Sequence, residues 1–350
     1  MTIKLNTPLR LDHLAVWVAD MDKTTEFLTD IVGLRKHPME VVVSADDPTV
    51  GGMLAYFVDG NGLWLEMILP TSEGPGMEML KEFGDGAIVE VNFEAVGEDY
   101  INTIDAQAAK GVQMLAMDGS PLVDGGRIDE GVTGNHDSHE TGQRIAYWPT
   151  DVSCGTTIEI YELLEEDETN LLNIRESQWS DIARDPDAPR IDGVSILTSD
   201  IEKTAGFYNN VMGLDRAPQV FETTLGGATS QEMKVTYIKA SHTDNVWVRL
   251  VQPTSPGHLS DLLKEKGDGY AMEAIIEVNY IDEFYDRMKA KGITMVNFDG
   301  SDLAAGEKSS TFANSDDRCS YFPLDVSRGL RMQIVQRGNS ASILSARDSA

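Results

Sequence analysis

Residues 11–18 alternate, with Leu14, Val16 and Val18 apolar and His13, Ala15 and Trp17 between them, the two-residue period of a β-strand. Asp20 is placed to cap a following helix and Gly33 to end it in the left-handed conformation. Strands rich in Val, Leu, Tyr and Trp are predicted through residue 69. A second unit starts with a strand over 87–95, continues with a helix near 99–110 closed by Gly111, and returns to strands up to about 163.

This pattern then repeats. LDHLAVWVADMDKTTEFLTDIVGL (11–34) returns as IDGVSILTSDIEKTAGFYNNVMGL (191–214). LKEFGDG (80–86) returns as LKEKGDG (263–269), and YWPTDVSCGTTIEIYE (147–162) as YFPLDVSRGLRMQIVQ (321–336). IVEVNF (88–93) is paired in this reading with IIEVNY (275–280). The blocks keep their order, so two halves carry one duplicated fold. The predicted class is α+β, four βαβββ modules forming two curved mixed sheets. The predicted domains are 1–164 and 190–338, with an acidic linker at 165–189 and a frayed tail at 339–350. Residues 119–143, rich in Gly and Asp, read as a long binding loop or lid.

Alternation also sorts the polar residues. Leu63, Leu65 and Met67 take one face of their strand and Trp64, Glu66 and Ile68 the other. Val89, Val91 and Phe93 are the core side of the next, leaving Glu90, Asn92 and Glu94 opposite; Ile158 and Ile160 likewise leave Glu159 projecting. His13, Glu66, Glu90 and Glu159 thus fall on one face, each from a different strand. Three carboxylates beside one imidazole repel one another unless a cation lies between them. That set suits one Zn²⁺, Mn²⁺, Fe²⁺, Co²⁺ or Ni²⁺ per chain. The plain alternative is four unrelated, solvated side chains.

The strand–helix opening DHLAVWVADMDKTTEFLTDIVGL, the LWLEMI strand and the TTIEIYE strand resemble the vicinal oxygen chelate superfamily. That superfamily includes glyoxalase I, methylmalonyl-CoA epimerase, extradiol dioxygenases and bleomycin-resistance proteins. The resemblance implies a metal on a concave sheet face, with His13, Glu66 and Glu159 at ligand positions. Glu90 falls where a second His is common, a departure that weighs against an Fe²⁺ dioxygenase built on two His and one carboxylate. In the second half the matching residues are read as Gly193, Arg249, Glu277 and Gln333. The imidazole is gone and Arg249 is expected to pair with Glu277, so this half reads as a degenerate copy.

The implied activity is that of a metal-dependent isomerase, epimerase or lyase acting beside a carbonyl, with Glu159 or Glu90 as the base. A ring-cleaving dioxygenase that borrows His136 or His139 is the second reading, and a non-catalytic binder of a small ligand the third. Trp17 and Trp64 are expected to line the substrate, with His136 and His139 nearby in the long loop. His37, His242 and His258 read as surface residues.

Composition narrows the partners. A net charge of −30 over 350 residues argues against nucleic acid and anionic membranes. No apolar run approaches the roughly 20 residues of a membrane span. Two distant cysteines, Cys154 and Cys319, form no disulfide framework, and a cytoplasmic location is expected. A small-molecule substrate is the expected partner, and a homodimer is compatible with this reading.

Overall fold

The computed structural model describes residues 9–43, 51–60, 63–95, 99–123, 125, 127–132, 139–163, 188–225, 230–240, 246–312 and 315–338. Most of the predicted linker, the tail, His136 and His242 lie outside these residues.

The first half runs β1 (Leu9–Trp17), α1 (Met21–Glu26), β2 (Arg35–Val43), β3 (Met53–Asp59) and β4 (Trp64–Pro70). It continues through α2 (Pro75–Phe83), β5 (Ile88–Ala95), α3 (Asp99–Ala109), β6 (Arg127–Val132), β7 (His139–Tyr147) and β8 (Ile158–Leu163). The sheet order is β2-β3-β4-β1-β5-β8-β7-β6. Strand β1 is parallel to β4 and antiparallel to β5, so the two βαβββ modules join at the middle of one mixed sheet. The second half repeats it, from β9 (Arg190–Leu197) and α4 (Ile201–Gly206) through β10 (Asp215–Arg216), β11 (Phe221–Leu225), β12 (Gln231–Lys239) and β13 (Trp247–Pro253). After α5 (His258–Lys266) come β14 (Ala271–Glu277), α6 (Ile281–Ala290), β15 (Ser310–Thr311), β16 (Arg318–Tyr321) and β17 (Met332–Gln336). The duplicated α+β architecture is therefore as expected. Among the described residues, no helix is long and apolar enough to cross a membrane.

Helix α1 begins where the pattern placed it, with the Asp20 carboxylate accepting the Lys23 N–H. It widens into a π-helical turn over Phe27–Val32 and stops at Gly33, whose φ is 98°. The 119–143 segment is not simply a loop. Strand β6 and the start of β7 pair across it, Val132 opposite His139, and extend the sheet by a hairpin.

One apolar core serves both halves. Leu14, Val16, Val91, Phe93, Ile158 and Ile160 of the first sheet share it with Val194, Ile196, Ala274, Ile276, Met332 and Ile334 of the second. The join is closed by backbone hydrogen bonds that echo the repeat: Leu11 N–H to the Ala240 carbonyl at 2.7 Å, and Ile191 N–H to the Gly60 carbonyl at 2.7 Å. The two GDG motifs form reciprocal clasps. A Cβ on Gly86 would lie 2.0 Å from the Leu330 nitrogen, and one on Gly269 2.1 Å from the Thr156 nitrogen. Both glycines also take positive φ (77° and 82°), so the turn conformation and the close approach each call for a bare Cα.

Candidate functional site

The concave face of the first sheet carries two rows of paired residues. One runs Trp64, His13, Asn92, Glu159, Tyr147 across β4, β1, β5, β8 and β7. The next runs Phe57, Glu66, Ala15, Glu90 across β3, β4, β1 and β5. The small Ala15 separates Glu66 from Glu90, leaving space above β1 between two carboxylates.

His13 is buried, and both ring nitrogens face acids. Its Nδ1 is 2.9 Å from Asp12 and its Nε2 3.4 Å from Glu66. Burial alone would lower its pKa, but the bonds to Asp12 and Glu66 outweigh that and hold it near 10. Phe57 and Tyr161 wall the ring, at centroid distances of 6.3 and 5.6 Å.

The other two carboxylates are pushed the opposite way from an ordinary surface acid. Burial, and then the charges of Glu159 and Glu66, raise Glu90 to about 8. Burial raises Glu159 to about 7, against a hydrogen bond from the Tyr147 hydroxyl that favours its ionised form. Glu90 is half-buried and has no hydrogen-bond or ion-pair partner among the described residues. The Tyr147 hydroxyl is itself raised, by burial and then by the Glu159 and Glu90 charges.

Contacts in this site are pairwise. Among the described residues, no three His, Cys, Asp or Glu side chains stand ready to hold a metal ion. The donor chemistry nonetheless fits a divalent cation. Burial, more than neighbouring charge, holds Glu90 and Glu159 above the usual carboxylate range, the His13 charge offsets this only in part, and Glu90 has no hydrogen-bond or ion-pair partner among the described residues. A cation would supply further counter-charge if Glu90 and Glu159 turned toward His13.

The second half has filled the same space. Gly193 stands where His13 does, and a Cβ there would meet the Trp247 carbonyl oxygen at 2.5 Å. Arg249 is paired with Glu273 and donates to Ser195, whose hydroxyl donates to Glu273 at 2.9 Å. This corrects the expected Arg249–Glu277 pair. Glu273 lies opposite Ser195 as Glu90 lies opposite Ala15, so Glu273 is the true counterpart of Glu90. Glu277 lies opposite Arg190 as Glu94 lies opposite Arg10, and it meets Arg190 and Arg337. Around this network Trp247, Tyr237, Ile275, Tyr321 and Val335 form a second apolar core.

A sequence model of the Glyoxalase/Bleomycin resistance protein/Dioxygenase superfamily matches residues 190–299, within the second half. The whole chain superimposes on a mutant 4-hydroxymandelate synthase from Streptomyces coelicolor with a TM-score of 0.60 and 13% identity, covering 98% of this chain and 100% of that one. The chain has the duplicated vicinal oxygen chelate fold. It is also similar to the 2,3-dioxygenase LapB from Pseudomonas sp. KL28, with a TM-score of 0.50, 14% identity, and coverage of 96% and 94%. No curated protein sequence matches it.

The vicinal oxygen chelate fold brings His13 and Glu66 into contact and sets Glu90 and Glu159 on the adjoining strands. Trp17 packs on Ala15, Ala55 and Ile68 at one end of this face. Its indole nitrogen is buried without a partner among the described residues. Trp64 stands edge-on to His37 at 5.9 Å, and His37, expected at the surface, is fully buried. His258 is half-buried. His139 begins β7, eight residues before Tyr147, a strand length of about 26 Å.

Three residues of the site were passed over in the sequence. Asp12 and Tyr147 recur as Asp192 and Tyr321, which makes them look structural. Asn92 is fully buried between His13 and Glu159, and neither amide atom has a partner among the described residues. Its counterpart opposite Gly193 is Ile275, and that polar-for-apolar exchange was the available signal.

Proposed function

We propose that the first half is a divalent-metal-dependent enolising site that removes a proton from the carbon beside a carbonyl, as an isomerase, epimerase or lyase. The observation that carries this reading is Glu90: a partnerless carboxyl, raised to about 8, across Ala15 from the His13–Glu66 pair. A carboxylate that neither donates to nor accepts from another side chain is free to take a proton from a substrate carbon.

His13, Glu66 and Glu159 would hold the metal, whose charge would polarise the substrate carbonyl. Metal binding requires the His13 Nε2 lone pair, so the proton held near pH 10 must leave. Asp12 on Nδ1 keeps the ring oriented with Nε2 inward, and Tyr147 fixes one oxygen of Glu159. Glu90, free of such bonds, takes the substrate proton and returns it to the same or a neighbouring carbon. Asn92, between His13 and Glu159, offers an amide to a substrate oxygen. Ile145, Tyr147 and Tyr161 at one end and Ala15, Trp17 and Ile68 at the other make the walls apolar and limit water.

The same donors would serve Fe²⁺ and O₂ in a ring-cleaving dioxygenase. The likeness to LapB and to 4-hydroxymandelate synthase supports keeping that second reading. The test is a panel of small 2-oxo and 2-hydroxy carbonyl compounds in D₂O, without O₂, with each of Mn²⁺, Fe²⁺, Co²⁺, Ni²⁺ and Zn²⁺. Deuterium entering at the α-carbon is expected, falling about 100- to 10,000-fold in Glu90→Gln at equal metal content. Turnover only in O₂, without exchange, would replace this reading with the dioxygenase.

A further inference from the structure

The second half contains a cavity that the repeated scaffold does not require. It has a volume of about 290 Å³ and is lined in part by Val296, Phe298, Tyr321 and Phe322, with His258 and Arg331 as its basic members. The Arg331 guanidinium lies over the Phe298 ring at 4.6 Å and donates one N–H to the Phe298 carbonyl at 2.8 Å. Its remaining N–H groups meet no carboxylate among the described residues. Arg10, Arg190, Arg249 and Arg318 all meet acids.

The other polar walls do not neutralise Arg331. Asp299 accepts both the N–H and the hydroxyl of Ser301, and Asp325 is exposed at the rim. The His258 ring stands edge-on to Phe298 at 5.2 Å, and its Nε2 is buried with no partner among the described residues. Burial and the Arg331 charge lower its pKa, so it is neutral at pH 7. The matched positions of the first half are Pro75 for His258, Met117 for Phe298 and Thr157 for Arg331. Tyr321 and Phe322 have aromatic counterparts in Tyr147 and Trp148, but the Arg331 cation and the His258 and Phe298 rings belong to the second half alone.

We infer that this cavity binds a small monocarboxylate with an aromatic-sized apolar body, its carboxylate on Arg331 and its ring among Val296, Phe298 and Tyr321. A guanidinium binds a carboxylate through paired, charge-assisted hydrogen bonds. The volume is at the lower end of the roughly 300–1,000 Å³ usual for ligand pockets, which suits benzoate better than a nucleotide. Apolar walls disfavour bare phosphate. The site is separate from the first-half carboxylates and does not depend on the reaction proposed for them.

The test is a titration of the full chain with 4-fluorobenzoate, followed by ¹⁹F NMR, with inorganic phosphate as the comparison anion. Saturable binding is expected, weakened at least tenfold in Arg331→Gln. Arg331→Lys, which keeps the charge without the fork, should lie between the two. Glu90→Gln should bind as the wild type does, which separates this site from the first-half site. Absence of saturable binding, equal affinity in Arg331→Lys and wild type, or displacement by equimolar phosphate would overturn the inference.

Discussion

Arg249 is locked to Glu273 on the second sheet, each almost wholly buried, in the place where the first sheet holds Glu66 and Glu90. A fixed guanidinium there pairs the carboxylate whose first-half counterpart, Glu90, has no ion-pair partner among the described residues. Arg249→Ala should leave Glu273 buried and unpaired, costing about 3–5 kcal/mol of stability. Urea denaturation measures it; an unchanged midpoint would mean that Glu273 finds another partner or takes up a proton without cost.

The clasps between the halves are tested by Gly86→Ala and Gly269→Ala. Each added Cβ would meet backbone at about 2 Å and also sit at positive φ. Each variant should lose more than about 1 kcal/mol. Because one core spans both sheets, the loss should show as a single earlier transition in calorimetry. A first-half transition that moves while the second stays put would show that the halves unfold separately.

Asn92 should trade stability for function. A buried amide with no partners costs about 1–3 kcal/mol, so Asn92→Leu, close in volume and matching the apolar Ile275 of the other half, should raise the melting temperature. The same change should impair substrate turnover. A lower melting temperature would show that the amide is already satisfied, for instance by a buried water.

Much of this arrangement was legible before the structure. Asp20 and Gly33 bound helix α1 as their residue types demand, and the faces of β4 sort as alternation predicts, with Leu65 and Met67 inward and Ile68 on the concave side. Strand β5 was harder. A bulge opposite Ala15 and Val16 breaks the two-residue period, so Ile88 enters the shared core and Val89, expected there, packs on the concave side. The pairing of IVEVNF with IIEVNY misled for a related reason. Val- and Ile-rich strands resemble one another at several offsets, and the true register is four residues earlier, at Glu273. Asn92 was hidden by that same false match to Asn279.

The pH dependence of stability follows from the same site. His13, ordinarily near 6.5, titrates near 10 in the folded chain, so its stabilising contribution is complete below about pH 6.5 and is lost as pH rises to 10. Glu90 and Glu159 are raised from 4.5 to about 8 and 7, so folding opposes their ionisation. Their penalty builds above pH 4.5 and is complete past pH 8. The metal-free chain should therefore melt progressively lower from about pH 5 to 9, and less steeply in Glu90→Gln, which keeps most of the −30 background charge. Equal slopes in the two proteins would show that Glu90 is not perturbed.

Metal stoichiometry tests the central claim most directly. Isothermal titration of the metal-free chain with Mn²⁺ or Ni²⁺ at pH 8 should show one site per chain, with protons released as His13 gives up its own. His13→Ala combined with Glu66→Ala should abolish that site. Arg249→Met should leave it intact, since the second sheet has no part in it. Two sites per chain, no binding at all, or a site that survives the double substitution would contradict the assignment of one metal to the first half.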